Sequence, residues 1–203
     1  MIDTSYLKLP DQDSWGYTNV DDSNIISAFT AVNDIVSPVN VLEIGMFAGH
    51  STLLMLSLFK NIKTITSYDP SKVSLHSAPE ILKRFPQFQF HNSPIWGHED
   101  DYVNSNIDLI YVDGDHQTPS VLKDIVSSFH ILPRFILFDN VEHGGVSGAL
   151  RRSGLYNVKY NPKYFFYTNT FKNQHKPGIL MLIDLQNITD ADIITVLTKA
   201  SDV

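Results

Sequence analysis

The chain has 203 residues, 43% of them hydrophobic and 18% charged, with a net charge of -7 and a pI of about 5.5. That length suits one domain with one sizeable core, and the acidic balance gives no overall electrostatic drive toward nucleic acid or anionic lipid. The absence of cysteine excludes disulfides, thiolate metal sites and thiol nucleophiles.

No apolar run approaches the roughly 20 residues needed to span a bilayer. No basic region joined to an apolar run marks a signal peptide near the amino terminus, so the expected location is cytoplasmic, with neither nucleic acid nor membrane as partner. Residues 1–21, including Trp15 and Tyr17, read as an irregular lead segment. The stretch 23–36 has Ile25, Ile26, Phe29, Val32 and Ile35 or Val36 at helical spacing, with Ser23 placed to cap it, so an amino-terminal helix is expected over 22–36.

Short apolar runs then alternate with amphipathic ones. Strands are expected at 39–45, 64–70, 88–93, 107–114 and 134–140, and helices at 49–60, 77–85 and 119–132. Pro79 is tolerated if it falls in the first turn of the 77–85 helix. Residues 155–185 carry YNVKY, YFFYTNT and GILMLIDL, which read as antiparallel edge strands, and 190–200 reads as a final helix. Alternating strands and helices indicate an α/β fold with a mostly parallel sheet flanked by helices, in one domain spanning 1–203. Runs such as LIYV and FILF fit strands covered on both faces. Ligands in such sheets bind beyond the carboxyl ends of the strands. Glu43–Gly49, Asp69, Asn92–Ser93, Asp113–His116 and Asp139–Asn140 all fall there.

VLEIGMFAGHST (41–52) places a sharp turn at Gly45 and opens a helix at Gly49, whose first amides suit a carboxylate or phosphate. Phe47 occupies the middle glycine position of a dinucleotide fingerprint, which disfavours NAD. Asp69 ends the next strand, where a carboxylate can accept from two ribose hydroxyls. This stretch resembles the first motif of S-adenosylmethionine-dependent methyltransferases, close to the E-I-G-x-x-x-G-x-S form of O-methyltransferases. The resemblance implies a Rossmann-like domain with Glu43, Gly45, Phe47, Gly49 and Ser51 around the amino-acid part of the cofactor. It further implies Asp69 on the ribose, Asn92 and Ser93 by the adenine, and Asp113 at the cofactor's edge. Plainer readings remain open, with Glu43 pairing a nearby base, Asp69–Pro70 serving as a turn, and His50 as a surface residue at a helix start.

YVDGDH (111–116) and FDNVEHGG (138–145) end two apolar runs with carboxylates. If the two strands are neighbours their tips lie about 5 Å apart, so Asp113 and Asp139 can converge on one cation. Asp113, Asp139 and Asn140 offer only oxygen, which suits Mg²⁺ or a similar hard ion. The two segments are similar to V-D-A-D-K and D-N-V-L-W-x-G of metal-dependent O-methyltransferases of the catechol and caffeoyl-CoA types. Asp113, Asp139 and Asn140 are then implied as metal ligands. Those families have lysine where this chain has His116; sugar O-methyltransferases of the macrocin and mycinamicin kind have D-G-x-H, with the histidine as general base. The resemblance covers roughly 39–145.

A histidine titrates near neutrality and can take a hydroxyl proton there. Asp115 either orients His116 or lies at the cofactor edge, and His143, in an expected mobile loop beside two glycines, is a weaker candidate near the substrate. His76, His91, His98, His130 and His175 read as surface or structural, and Tyr164–Tyr167 as edge strand and core. The expected function is S-adenosylmethionine-dependent, metal-dependent methyl transfer to a hydroxyl of a sugar or phenolic compound. A metal-independent enzyme, or a module that binds the cofactor without transfer, stays open, as does a homo-oligomer.

Overall fold

The computed structural model describes residues 2–7, 18, 20–155, 163–168, 178–186 and 188–201. Trp15, Tyr17, His175 and the YNVKY segment lie outside the described residues. The elements in chain order are α1 (Ser23–Val36), β1 (Asn40–Ile44), α2 (His50–Leu58), β2 (Thr64–Tyr68), α3 (Lys72–Arg84), β3 (Phe88–His91), β4 (Leu109–Val112), α4 (Thr118–Ile131), β5 (Phe135–Phe138), α5 (Gly144–Arg152), β6 (Lys163–Thr168), β7 (Gly178–Asp184) and α6 (Asp190–Ser201). A short 3-10 turn covers Glu99–Tyr102.

The sheet runs β3-β2-β1-β4-β5-β7-β6. β1 to β5 are parallel, while β7 is antiparallel to β5 and β6 antiparallel to β7. The chain builds β1, β2 and β3 outward on one side, then returns to lay β4 on the other side of β1. That reversal is the topological switch point of an open α/β sheet, the place where ligands bind beyond the strand ends in such folds. Residues of α1, α2 and α3 pack one face with Val41, Ile65, Leu109, Tyr111 and Leu137. α4, α5 and α6 cover the other with Leu42, Ile44, Ile110, Val112 and Phe138. Strand side chains alternate between faces, so Asp113 and Asp139 continue the α1–α2 face beyond Tyr111 and Leu137.

Several expected boundaries move, each for a local reason. The cap of α1 is Asp22, not Ser23: the Asp22 carboxylate accepts from the amides of Asn24 (2.8 Å) and Ile25 (3.4 Å). α3 begins at Lys72 because the Ser71 hydroxyl accepts from the Ser74 amide at 3.2 Å. Pro79 is therefore interior to α3, not in its first turn, and both it and Leu75, the residue whose carbonyl it leaves without a helical donor, are exposed. α5 forms where a mobile loop was expected. Three glycines hide it from propensity, but Gly145 is dictated by packing: a Cβ there would sit 1.9 Å from the His116 carbonyl oxygen. β7 is not an edge strand; it lies between β5 and β6, and of these two antiparallel strands β6 is the one at the sheet edge. On β6, Tyr164 and Phe166 pack on the core while Phe165 and Tyr167 are exposed. His50 is buried, not on the surface.

Removing an N-cap carboxylate costs about 1 kcal/mol. Asp22→Ala is therefore expected to lower Tm by roughly 2–4 °C, and Ser23→Ala, exposed and outside the cap, by much less. Thermal and denaturant unfolding of the two variants checks this.

Candidate active site

The site is assembled by backbone pairing across β1, β4 and β5. Ile44 pairs with Val112, and Val112 with Phe138. The ladder continues one step past the strand ends: the Asp113 amide donates to the Ile44 carbonyl (2.8 Å) and the Asp139 amide to the Val112 carbonyl (3.0 Å). Gly45, Asp113 and Asp139 thus stand at one level. Gly45 has φ +89°, and a Cβ on it would lie 2.2 Å from the Asp113 carbonyl oxygen and 2.6 Å from Gly114 Cα. No side chain fits between the first turn and the end of β4.

The turn itself is held from β2. One Asp69 oxygen accepts from the Met46 (2.8 Å) and Phe47 (2.6 Å) amides, and the other from the Ser71 amide (2.6 Å). Asp69 is buried, and these bonds hold Phe47 in its left-handed conformation, φ 46°. The carboxylate that the resemblance places on a ribose is here engaged with the turn, with acceptor capacity left on only one oxygen. Gly49 caps α2 in the left-handed region and has no side chain to accept from the first amides of that helix.

Glu43 lies beneath the turn, fully buried. It accepts from the hydroxyls of Ser51 (2.7 Å), Thr52 (2.7 Å) and Ser67. Burial outweighs these donors and pushes its carboxyl up to about 7. Ser51, by the same contact, turns its hydroxyl to Glu43. Asn92 braces the β2 and β3 ends, donating to the Asp69 carbonyl at 2.8 Å, and Ser93 follows, half-buried.

On the α1–α2 face, the fully buried Tyr111 donates its hydroxyl to Asp139 (2.6 Å) and lies 3.2 Å from Asp113. Tyr111 was not singled out in the sequence, although its place two residues before Asp113 puts it on the same strand face. Burial and the two carboxylates keep its phenol protonated, so it remains a donor. The other Asp139 oxygen accepts from the Asn140 amide at 2.6 Å, with Asn140 in the left-handed region (φ 53°). Burial, and then the charge of Asp113, raise the Asp139 carboxyl pKa. Asn140 Nδ2 is 3.5 Å from Asp113 Oδ1. The three residues implied as metal ligands therefore stand together. Among the described residues no group of three or more histidine, aspartate or glutamate side chains is arranged to hold a metal, and no lysine or arginine pairs with Asp113 or Asp139.

His116 Nε2 is 3.4 Å from Asp113 Oδ1, and this contact, opposed by burial, raises the imidazole pKa. Asp115, left open by the sequence, accepts from the Gln117 amide (3.2 Å) and the Ser120 hydroxyl (2.7 Å) and so secures the start of α4. His143 caps α5, and its ring centroid is 5.2 Å from that of His116. His91 stacks on Tyr68 with centroids 4.5 Å apart, a packing role.

Residues 42–141 match a family model described as a methyltransferase domain. The fold is that of solved S-adenosylmethionine-dependent methyltransferases. It is similar to the cofactor-bound protein Rv0187 from MTB (TM-score 0.67, 15% identity, covering 90% of this chain and 86% of that one). It also resembles an O-methyltransferase from Bacillus cereus in complex with SAH (TM-score 0.62, 18% identity, 87% and 84%). A third is the O-methyltransferase TomG from Streptomyces achromogenes, involved in tomaymycin synthesis, in complex with SAM (TM-score 0.60, 16% identity, 78% of each chain). Among curated proteins none matches the chain. No helix of the described residues is long and apolar enough to cross a membrane.

Glu43 generates a pH test. Its folded-state pKa lies above the unfolded value of 4.5, at about 7, so the folded state holds the proton more tightly. Its contribution is full below about pH 4.5 and is lost as pH rises through about 7, a change on the order of 3 kcal/mol. Glu43→Gln is expected to lack this term, so wild type should lose stability relative to the variant between pH 5 and pH 8 in parallel unfolding titrations.

Proposed function

We propose that this protein is an S-adenosylmethionine-dependent O-methyltransferase that acts on a hydroxyl of a small molecule, a sugar or phenolic compound, with a divalent cation of the Mg²⁺ type. The observation that carries this reading is the contact of His116 with Asp113 at the open end of β4, against the glycine turn and beside a second buried carboxylate. The donor chemistry fits the cation: two carboxylates and an amide face one another with a tyrosine hydroxyl between them and no cationic side chain paired to either among the described residues. Burial first, and then repulsion from the half-buried Asp113, raise the Asp139 pKa. Asp113, Asp139 and the Asn140 side-chain oxygen would hold the ion. When bound, S-adenosylmethionine supplies an electrophilic methyl group and the cation supplies charge that stabilises an alkoxide or phenolate.

The chain's own residues do the rest. The Asp113 carboxylate accepts from His116 Nε2–H, which leaves Nδ1 with its lone pair to take the acceptor's proton. The same carboxylate stabilises the imidazolium once the proton has moved. Asp113 is fixed in turn by the Ile44 carbonyl, the Gly45 close approach and Tyr111, so the carboxylate that orients the base is anchored by the sheet ladder, and His116 follows in the short connection to α4. The turn residues 45–49 and the start of α2 would receive the amino-acid part of the cofactor, with Asp69 and the Asn92–Ser93 corner toward its nucleoside part.

One observation favours a metal-independent variant of this reading: both Asp139 oxygens already accept hydrogen bonds. Calorimetry with S-adenosylmethionine is expected to show micromolar binding. In a screen of sugars and phenols, excess chelator and Asp139→Asn should each lower turnover about 10²-fold or more, with cofactor affinity changed less than about threefold. His116→Gln should lower turnover by about 10²-fold or more. Full turnover in chelator, with loss only in His116→Gln, selects the metal-independent variant. Absence of cofactor binding contradicts the proposal.

A further inference from the structure

We infer that His143 is a second acceptor-contacting residue, presenting a fixed N–H donor beside the base of His116; this rests on the O-methyltransferase reading. His143 caps α5 through its ring, Nδ1 accepting from the Gly145 amide at 3.3 Å. A ring nitrogen that accepts carries no proton, so the neutral imidazole holds its proton on Nε2. In His116 the carboxylate of Asp113 is the acceptor, so the proton also sits on Nε2 and the lone pair on Nδ1. The two rings therefore differ in what they offer: His116 an acceptor, His143 a donor.

The rings stand 5.2 Å apart, inclined at 47°. Their backbones are locked together, because Gly145 lies against the His116 carbonyl so closely that a Cβ would reach to 1.9 Å. The Thr118 hydroxyl also donates to the Gly145 carbonyl at 3.0 Å. A second close approach, Gly148 to the Thr118 hydroxyl, continues the contact one turn further along α5. His143 is nonetheless exposed, so its Nε2–H is open to a bound molecule. A hydroxyl giving its proton to His116 leaves His143 to donate to an oxygen close by on the same acceptor, whether hydroxyl, ether or carbonyl. Acceptors without such an oxygen are disfavoured, because the donor would be covered and unsatisfied.

The test separates capping from donation by two substitutions with opposite orders. Asn is a good N-cap but its amide is too short to reach the Nε2 position; Gln caps poorly but carries an amide N–H about that far. Methyl α-glucopyranoside and 1,2-dihydroxybenzene serve as probes, added to protein saturated with S-adenosylhomocysteine and Mg²⁺. Long-range ¹H–¹⁵N spectra should show His143 protonated on Nε2 and that resonance shifting with at least one probe. His143→Asn should weaken that probe about three- to tenfold, while His143→Gln stays within about twofold of wild type. Protonation on Nδ1, no shift with either probe, or Asn outperforming Gln would overturn the inference. Failure to bind S-adenosylhomocysteine or S-adenosylmethionine would instead overturn the methyltransferase reading.

Discussion

The structure depends on one constraint: β4 is paired on both sides, to β1 and to β5, and the pairing runs one residue past the end of each strand. The Asp113 and Asp139 amides are consumed by that extension, which fixes both carboxylates on one face at one level. The same extension brings the Gly45 turn into backbone contact with Asp113 and Gly114. A site on flexible loops would need side-chain packing to reach this precision; here the sheet ladder supplies it. The turn and the carboxylates thus stand side by side at the carboxyl ends of the strands around the switch point.

Burying several carboxylates at one sheet edge is costly unless each finds donors, and the fold answers each case differently. Asp69 takes three backbone amides and in doing so shapes the turn. Glu43 takes three hydroxyls and ties β1, α2 and β2 together below it. Asp113 and Asp139 share the Tyr111 hydroxyl, with His116 and the Asn140 amide as further side-chain partners near Asp113. Only this last pair combines mutual repulsion with an adjacent imidazole. That combination distinguishes chemistry from scaffold, since the first two carboxylates are satisfied in ways that serve the backbone.

The fold was legible because the central strands β4 and β5 are continuous apolar runs ended by aspartate, β1 is ended by glycine, and strand-like and helix-like stretches alternate through the whole parallel half. Gly45 was legible too, since only a close approach or a positive φ calls for glycine at that point. The roles of Glu43 and Asp69 toward the turn were not. Asp69 reaches the turn from a separate strand, and Glu43 takes Ser67 from that strand but Ser51 and Thr52 from its own motif; a motif states which residue is present, not which way its oxygens turn. α5 was hidden for a different reason: three glycines lower its helix propensity, and their necessity appears only once His116 and Thr118 are seen against them. Tyr111 was masked by its apolar neighbours, which made it look like core when its hydroxyl belongs to the site. His143 was noticed for its glycines, but its tautomer could be read only from the cap it makes.

The proposed chemistry turns on whether Asp113, Asp139 and Asn140 hold a cation beside the glycine turn. Anomalous diffraction from crystals grown with S-adenosylhomocysteine and Mn²⁺, the latter standing in for Mg²⁺, tests this most directly. An anomalous peak bounded by oxygens of Asp113, Asp139 and Asn140 is expected, with the nucleoside product lying along the Gly45–Gly49 turn. Product bound in the turn with no peak between those three residues would contradict this expectation.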